Sequence, residues 1–177
     1  PRRQKLCVIN FQHLSDETPD GLRKAFIECA AVETFFLWHK FKKDKNGNAN
    51  NLDNTLKGGN IPEDFKRQMF YTFGDYRDLC VGTDISSHKD TTKGVGKVKY
   101  NIYNVFYKIG QSSIDQRKSW WEKHGPEIWK GMLCALEKTL DDKKKLNDKY
   151  KYESVTFGDS SGPNLRTFSS RPQFLRW

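Results

Sequence analysis

Residues 65–80 read Phe65-Lys66-Arg67-Gln68-Met69-Phe70-Tyr71-Thr72-Phe73-Gly74-Asp75-Tyr76-Arg77-Asp78-Leu79-Cys80, and their spacing decides the fold class. Phe65, Met69, Phe73 and Tyr76 recur every three or four positions, which lines one side of a helix with large apolar groups. Just upstream, Ile61-Pro62-Glu63-Asp64 supplies the start. A proline in the first turn gives up an amide that no helical carbonyl would accept, and the two acids favour the positive end of the helix dipole. The stretch predicts a helix from Pro62 to about Cys80, aromatic and basic, with no catalytic constellation in it. It reads as framework.

The same period extends outward in both directions. Thr18 as N-cap and Pro19 at the first helical position open a long helix to about Lys43, with Leu22, Phe26, Cys29, Ala30, Phe36 and Leu37 as its apolar side. Val98, Ile102, Val105, Phe106 and Ile109 mark another, closed by Gly110. Ser112 or Ser113 caps a fourth through Trp120-Trp121; Gly125-Pro126 interrupts it with a kink, and Ile128, Trp129, Met132, Leu133, Leu136 and Leu140 continue it. Between these lie a short extended lead over 7–14, an exposed polar loop over 44–59, a second loop over 81–93, and an irregular connection over 141–170. The last has Tyr150, Tyr152, Val155 and Phe157 as its apolar handles. The fold class is mainly α: a helical bundle of about four long helices with long irregular loops.

A chain of 177 residues suits one compact unit. Its 31 Lys+Arg against 22 Asp+Glu give +9, which attracts polyanions as a class without naming one. No apolar run approaches the roughly 18 residues that span a bilayer. Cys7, Cys29, Cys80 and Cys134 are widely spread with no CxxC pair, which argues against zinc and for two long-range disulfides in an extracellular setting. Three pairings stay open, and four buried thiols are the competing reading.

Several motifs dissolve on inspection. Gly158-Asp159-Ser160-Ser161-Gly162-Pro163 nearly spells a serine-protease nucleophile segment, but His13, His39, His88 and His124 lack the context a catalytic base needs. Lys93-Gly94-Val95-Gly96-Lys97 lacks the spacing of a phosphate loop. The histidines are scattered, so neither a metal nor a cofactor is implied. Trp120, Trp121 and Trp129 have core spacing. Tyr71, Tyr76, Tyr100, Tyr103 and Tyr107 can serve as core or as interface anchors. Lys97, Lys99, Tyr103 and Lys108 form a mixed basic and aromatic face suited to a sulfated sugar or a protein, and Lys143, Lys144, Lys145, Lys149 and Lys151 make a second basic run. Lysine over arginine favours shape-tolerant anion binding rather than base reading, so nucleic acid is not expected. Arg2, Arg3, Arg67, Arg77 and Asp75 are candidates for ion pairs that stitch the bundle.

The ordered motifs resemble a known family. Pro1-Arg2-Arg3-Gln4-Lys5-Leu6-Cys7, Ala30-Ala31-Val32-Glu33-Thr34-Phe35-Phe36-Leu37-Trp38, residues 65–80, Trp120-Trp121, and Ile128-Trp129-Lys130-Gly131-Met132-Leu133-Cys134-Ala135-Leu136 are similar to the Duffy-binding-like adhesion domains of malaria parasites, those of the erythrocyte membrane protein 1 family above all. The resemblance implies a middle subdomain with its helical core at about 19–140, a linker at 141–170 and the start of a further subdomain at 171–177. It also implies a non-enzymatic module on the extracellular face of the infected erythrocyte, binding a host cell-surface receptor protein or a sulfated glycosaminoglycan beside flanking subdomains of its own chain. The reading from charge alone is a soluble polyanion-binding helical protein, for glycosaminoglycan or nucleic acid.

Overall fold

The computed structural model describes residues 6–85, 90–138, 140 and 145–176, with Lys145 described by its backbone alone. The chain is mainly α. Its elements are α1 Ile9–Gln12, α2 Pro19–Asp44, α3 Ala49–Lys57, α4 Glu63–Val81, α5 Gly94–Lys108, α6 Ile114–Glu137, α7 Lys145–Lys149, α8 Leu165–Ser170 and a 3-10 turn, Gln173–Leu175.

α4 is the central element, touching α2, α5, α6, α8 and the 3-10 turn. That position explains why its burial extends beyond one stripe, to Phe70, Thr72, Asp75, Arg77, Asp78 and Leu79. Burial continues all round a helix only when neighbours cover every side. Phe73 packs on Trp121 and Trp129, with ring centroids 5.0 and 6.1 Å away, and Phe70 meets Trp129 and Phe168. Trp120, Trp121 and Trp129 therefore belong to the interior, and Trp129 Nε1 meets its polar need by donating to the Tyr150 carbonyl at 2.8 Å.

Local chemistry sets the helix ends. Thr18 accepts from the Gly21 amide at 3.1 Å, and Ser113 forms a reciprocal capping box with Gln116. α4 stops at Gly82, whose φ of +90° closes the helix in the left-handed region that side chains disfavour. Above that end lies Arg117, which donates from Nε to the Cys80 carbonyl at 2.6 Å and from Nη2 to the Leu79 carbonyl at 3.3 Å. It satisfies carbonyls that the terminated helix would leave open.

Three expectations are corrected. The lead folds into α1, with Phe11 wholly buried against Phe26. The polar loop over 44–59 contains α3, because Leu52 and Leu56 share one side and Leu56 is buried. Residues 141–170 are not irregular throughout: α7 inserts Leu146 and α8 inserts Leu165 and Phe168 into the core, while Thr156 and Asn164 form a single antiparallel bridge. As the apolar spacing on both sides of Gly125-Pro126 implied, α6 continues through Pro126 as one helix, with Gly125 in ordinary contact distance of Phe73, Trp121 and Tyr152.

The ion-pair candidates fall in different places. Arg2 and Arg3 lie outside the described residues, and Arg67 sits over the Phe157 ring at 5.6 Å. Among the described residues, Arg176 has its buried guanidinium against Gly74 and pairs with Asp78 and, at 3.6 Å, with Asp75. Phe174 and Leu175 beside it are exposed.

Candidate surface for recognition

α5 separates its sides cleanly. Val98, Ile102, Val105 and Phe106 face the core, and Asn101 Nδ2 ties α5 to α1 by donating to the Phe11 carbonyl at 2.8 Å. Tyr100, Tyr103 and Tyr107 face outward, 49, 42 and 63% exposed, at the i, i+3, i+7 spacing that forms a continuous stripe. Tyr103 and Tyr107 stack with centroids 6.0 Å apart and planes 27° from parallel.

The lysines beside this stripe are not equivalent. Lys99 Nζ lies 2.8 Å from Asp84 Oδ2 and also donates to the Asp84 carbonyl at 3.3 Å; the Asp84 side chain is almost fully buried. Lys108 pairs with Glu17. Lys97 is half-buried, and no ion pair engages it among the described residues. Two of the three predicted cations on α5 are thus neutralised internally. What the surface offers is mainly aromatic.

The second predicted group lies elsewhere. Lys149 hydrogen-bonds Asn60 and sits 5.6 Å over the Tyr150 ring, while Tyr150 Oη accepts from the Ile61 amide at 2.8 Å. These contacts lie at the N-terminal end of α4, whereas Lys99 and Asp84 lie beyond its C-terminal end. A helix of 19 residues separates the ends by about 28 Å. Lys151 is exposed just after α7, Lys145 opens that helix, and Lys143 and Lys144 lie outside the described residues. Among the described residues, Lys149 and Lys99 therefore lie toward opposite ends of α4. Tyr100 and Tyr107 complete the α5 stripe around Tyr103, and their spacing was the available signal.

Other polar features serve packing. Burial raises the Asp78 carboxyl against the opposing pull of Arg176, and burial lowers Arg77. A cleft of about 400 Å³ between α1 and the start of α2 is lined by Ile9, His13, Asp16, Lys24 and Glu28, a mixture of charges with no dominant sign. Among the described residues no group of three His, Cys, Asp or Glu is placed to hold a metal ion. The four cysteines stand as thiols in this structure, Cys29 and Cys80 buried and Cys7 and Cys134 half-buried.

Comparison with known proteins places this arrangement. The chain is 27% identical over 141 residues to the Duffy receptor of Plasmodium vivax (strain Salvador I), covering 78% of this chain and 12% of that protein. It is 30% identical over 78 residues to the Duffy receptor gamma form of Plasmodium knowlesi, covering 42% of this chain and 6% of that protein. The chain thus spans a small part of either relative's length. No solved structure is a significant match. The family model for the Duffy binding domain matches residues 1–176, nearly the whole sequence, and the chain belongs to that family.

Proposed function

We propose that this chain is a non-enzymatic adhesion module that docks a host cell-surface receptor protein through the tyrosine stripe of α5. One observation carries the choice of a protein ligand: Lys99 and Lys108 are held by Asp84 and Glu17, so the exposed rings of Tyr100, Tyr103 and Tyr107 outweigh free charge on that side. Tyrosine buries a large area at low entropic cost and is enriched at the energetic centres of interfaces. The relatives named Duffy receptor support the receptor-binding part of this reading.

In the finer form of the proposal, the parent is a variant surface antigen of the erythrocyte membrane protein 1 type. It stands on the infected erythrocyte and causes its cytoadherence, with flanking subdomains beside this one. The order of motifs from Pro1 to Pro172 supports that assignment. The continuous core supports reading the chain as a single subdomain.

A sulfated glycosaminoglycan is the second reading, favoured by the net charge of +9 and by Lys149 and Lys151. Binding to host cells treated either with protease or with glycosaminoglycan lyase, at about 50 and 200 mM salt, separates the two. The proposal expects loss after protease and weak salt dependence. Loss after lyase with a steep salt slope would assign the ligand to the glycan instead.

A further inference from the structure

Two of the four cysteines meet around one hydroxyl. Tyr76 Oη lies 2.7 Å from the Cys7 carbonyl oxygen and 3.0 Å from that of Cys29, which sets the two cysteine backbones side by side. The Cys7 amide donates to Glu33 Oε2 at 2.8 Å, one turn beyond Cys29, so the lead segment is fixed along α2 at this height. The two thiols act on each other electrostatically: each is the main cause of the other's shift, which lowers Cys7 and raises Cys29.

The other two cysteines are placed apart. Cys80 ends the buried run of α4, and its carbonyl is bound by Arg117 in the first turn of α6. Cys134 is seventeen residues further along the same helix, about 25 Å up its axis. That exceeds the Cα separation of about 7 Å a disulfide tolerates, even after allowing for the length of an arginine side chain. Cys134 also lies away from Cys29: Ile27 packs toward Gly131, one turn before Cys134, and Cys29 is two positions on, about 200° round α2. The Cys134 sulfur accepts from Asn147 Nδ2 at 3.6 Å.

We propose that Cys7 and Cys29 are the oxidation site of this chain, closing to a disulfide that staples the lead segment to α2, while Cys80 and Cys134 remain thiols. This revises the expectation of two bridges to one. The chemistry is thiol–disulfide exchange with a disulfide donor such as oxidised glutathione. The half-buried Cys7 sulfur, as thiolate, attacks one sulfur of the donor and expels one glutathione thiolate, leaving a mixed disulfide. Cys29 then loses its proton and attacks the Cys7 sulfur, expelling the second glutathione thiolate. Two protein thiols are oxidised, one donor disulfide is reduced to two thiols, and the protons pass to the departing thiolates.

The division of roles follows the surroundings. The Cys29 S–H stabilises ionised Cys7 and lowers its pKa, and the same contact, with burial, raises that of Cys29. Once Cys7 is capped its negative charge is gone, and that brake on Cys29 ionisation goes with it.

The test is a disulfide map. The chain is equilibrated across a glutathione redox series, quenched with N-ethylmaleimide, digested without reduction and analysed by mass spectrometry. The expected result is one linked pair, Cys7 with Cys29, with Cys80 and Cys134 carrying the label after denaturation. Cys7 linked to Cys80 or Cys134, or all four cysteines labelled at the oxidising end, overturns the proposal. A second readout uses stability. Reduction should lower Tm by about 6–12 °C, and Cys7→Ser, Cys29→Ser and the double variant should share one redox-insensitive Tm. A double variant that loses the sum of the two single losses would show that no bond joins them.

Discussion

Replacing Arg176 with methionine removes the guanidinium from a site where both it and its main partner are sealed from water. The Arg176 and Asp78 side chains are 0 and 2% exposed. The guanidinium also donates from Nη1 to the Arg171 carbonyl at 2.8 Å, so its loss unties the C-terminal turn from α4. Asp78 keeps the Thr83 hydroxyl at 2.8 Å and the more distant charge of Arg77, but as a buried carboxylate it loses its hydrogen-bonded countercharge. Breaking a buried pair from one side costs about 3–5 kcal/mol, because the remaining charge is stranded. For a chain of this size that is a fall in Tm of about 6–20 °C.

The loss should depend on pH, with a definite sign. Burial already places the native Asp78 pKa above its unfolded value, and Arg176 opposes that shift. A native pKa above the unfolded one means the folded state binds the proton more readily, so stability falls as pH rises between the two values. Without Arg176 the native value moves higher still. The variant should therefore be worst near neutral pH and recover toward the wild type on acidification. Urea unfolding from pH 4 to 8 measures this, and Asp78→Asn in the same background should restore most of the loss. A deficit below about 1 kcal/mol, or one independent of pH, would refute the stranded-charge argument.

Two further predictions concern the scaffold. Leu56→Ala should cost about 2–5 kcal/mol in denaturant unfolding, as for any fully buried leucine, whereas an equivalent change in a truly exposed loop would be silent. Ser113→Ala should cost about 1 kcal/mol by removing the capping box of α6, with hydrogen exchange faster only in that helix's first turn.

The four long helices were legible because each carries an apolar side at helical spacing and a start or stop signal within a residue or two of the observed end. Thr18, Pro62, Gly110 and Ser113 all sit at those ends. The short helices were not. α3 is nine residues of mostly asparagine, threonine and leucine, too short to be stable alone, and it forms because Leu56 finds a pocket in the tertiary fold. α8 did carry a signal: Asn164 accepts from the Thr167 amide at 2.9 Å, and Leu165 and Phe168 follow at i and i+3. The Ser/Gly-rich segment before it hid that signal. On the recognition surface, the lysines of α5 were readable but their fate was not. Asp84 and Glu17 are 15 and 91 residues away from the lysines they neutralise, and only the folded chain brings them together.

Binding of the Tyr103→Ala, Tyr107→Ala double variant to host cells, beside its Tm, tests most directly whether interior rings hold this protein and exterior rings recognise its ligand. Both side chains are exposed on α5, and the interior Phe106, Trp120 and Trp121 are untouched. The account predicts an unchanged Tm within a degree or two and at least a tenfold loss of binding, as for the removal of two interface anchors. Undiminished binding by the folded variant would contradict it.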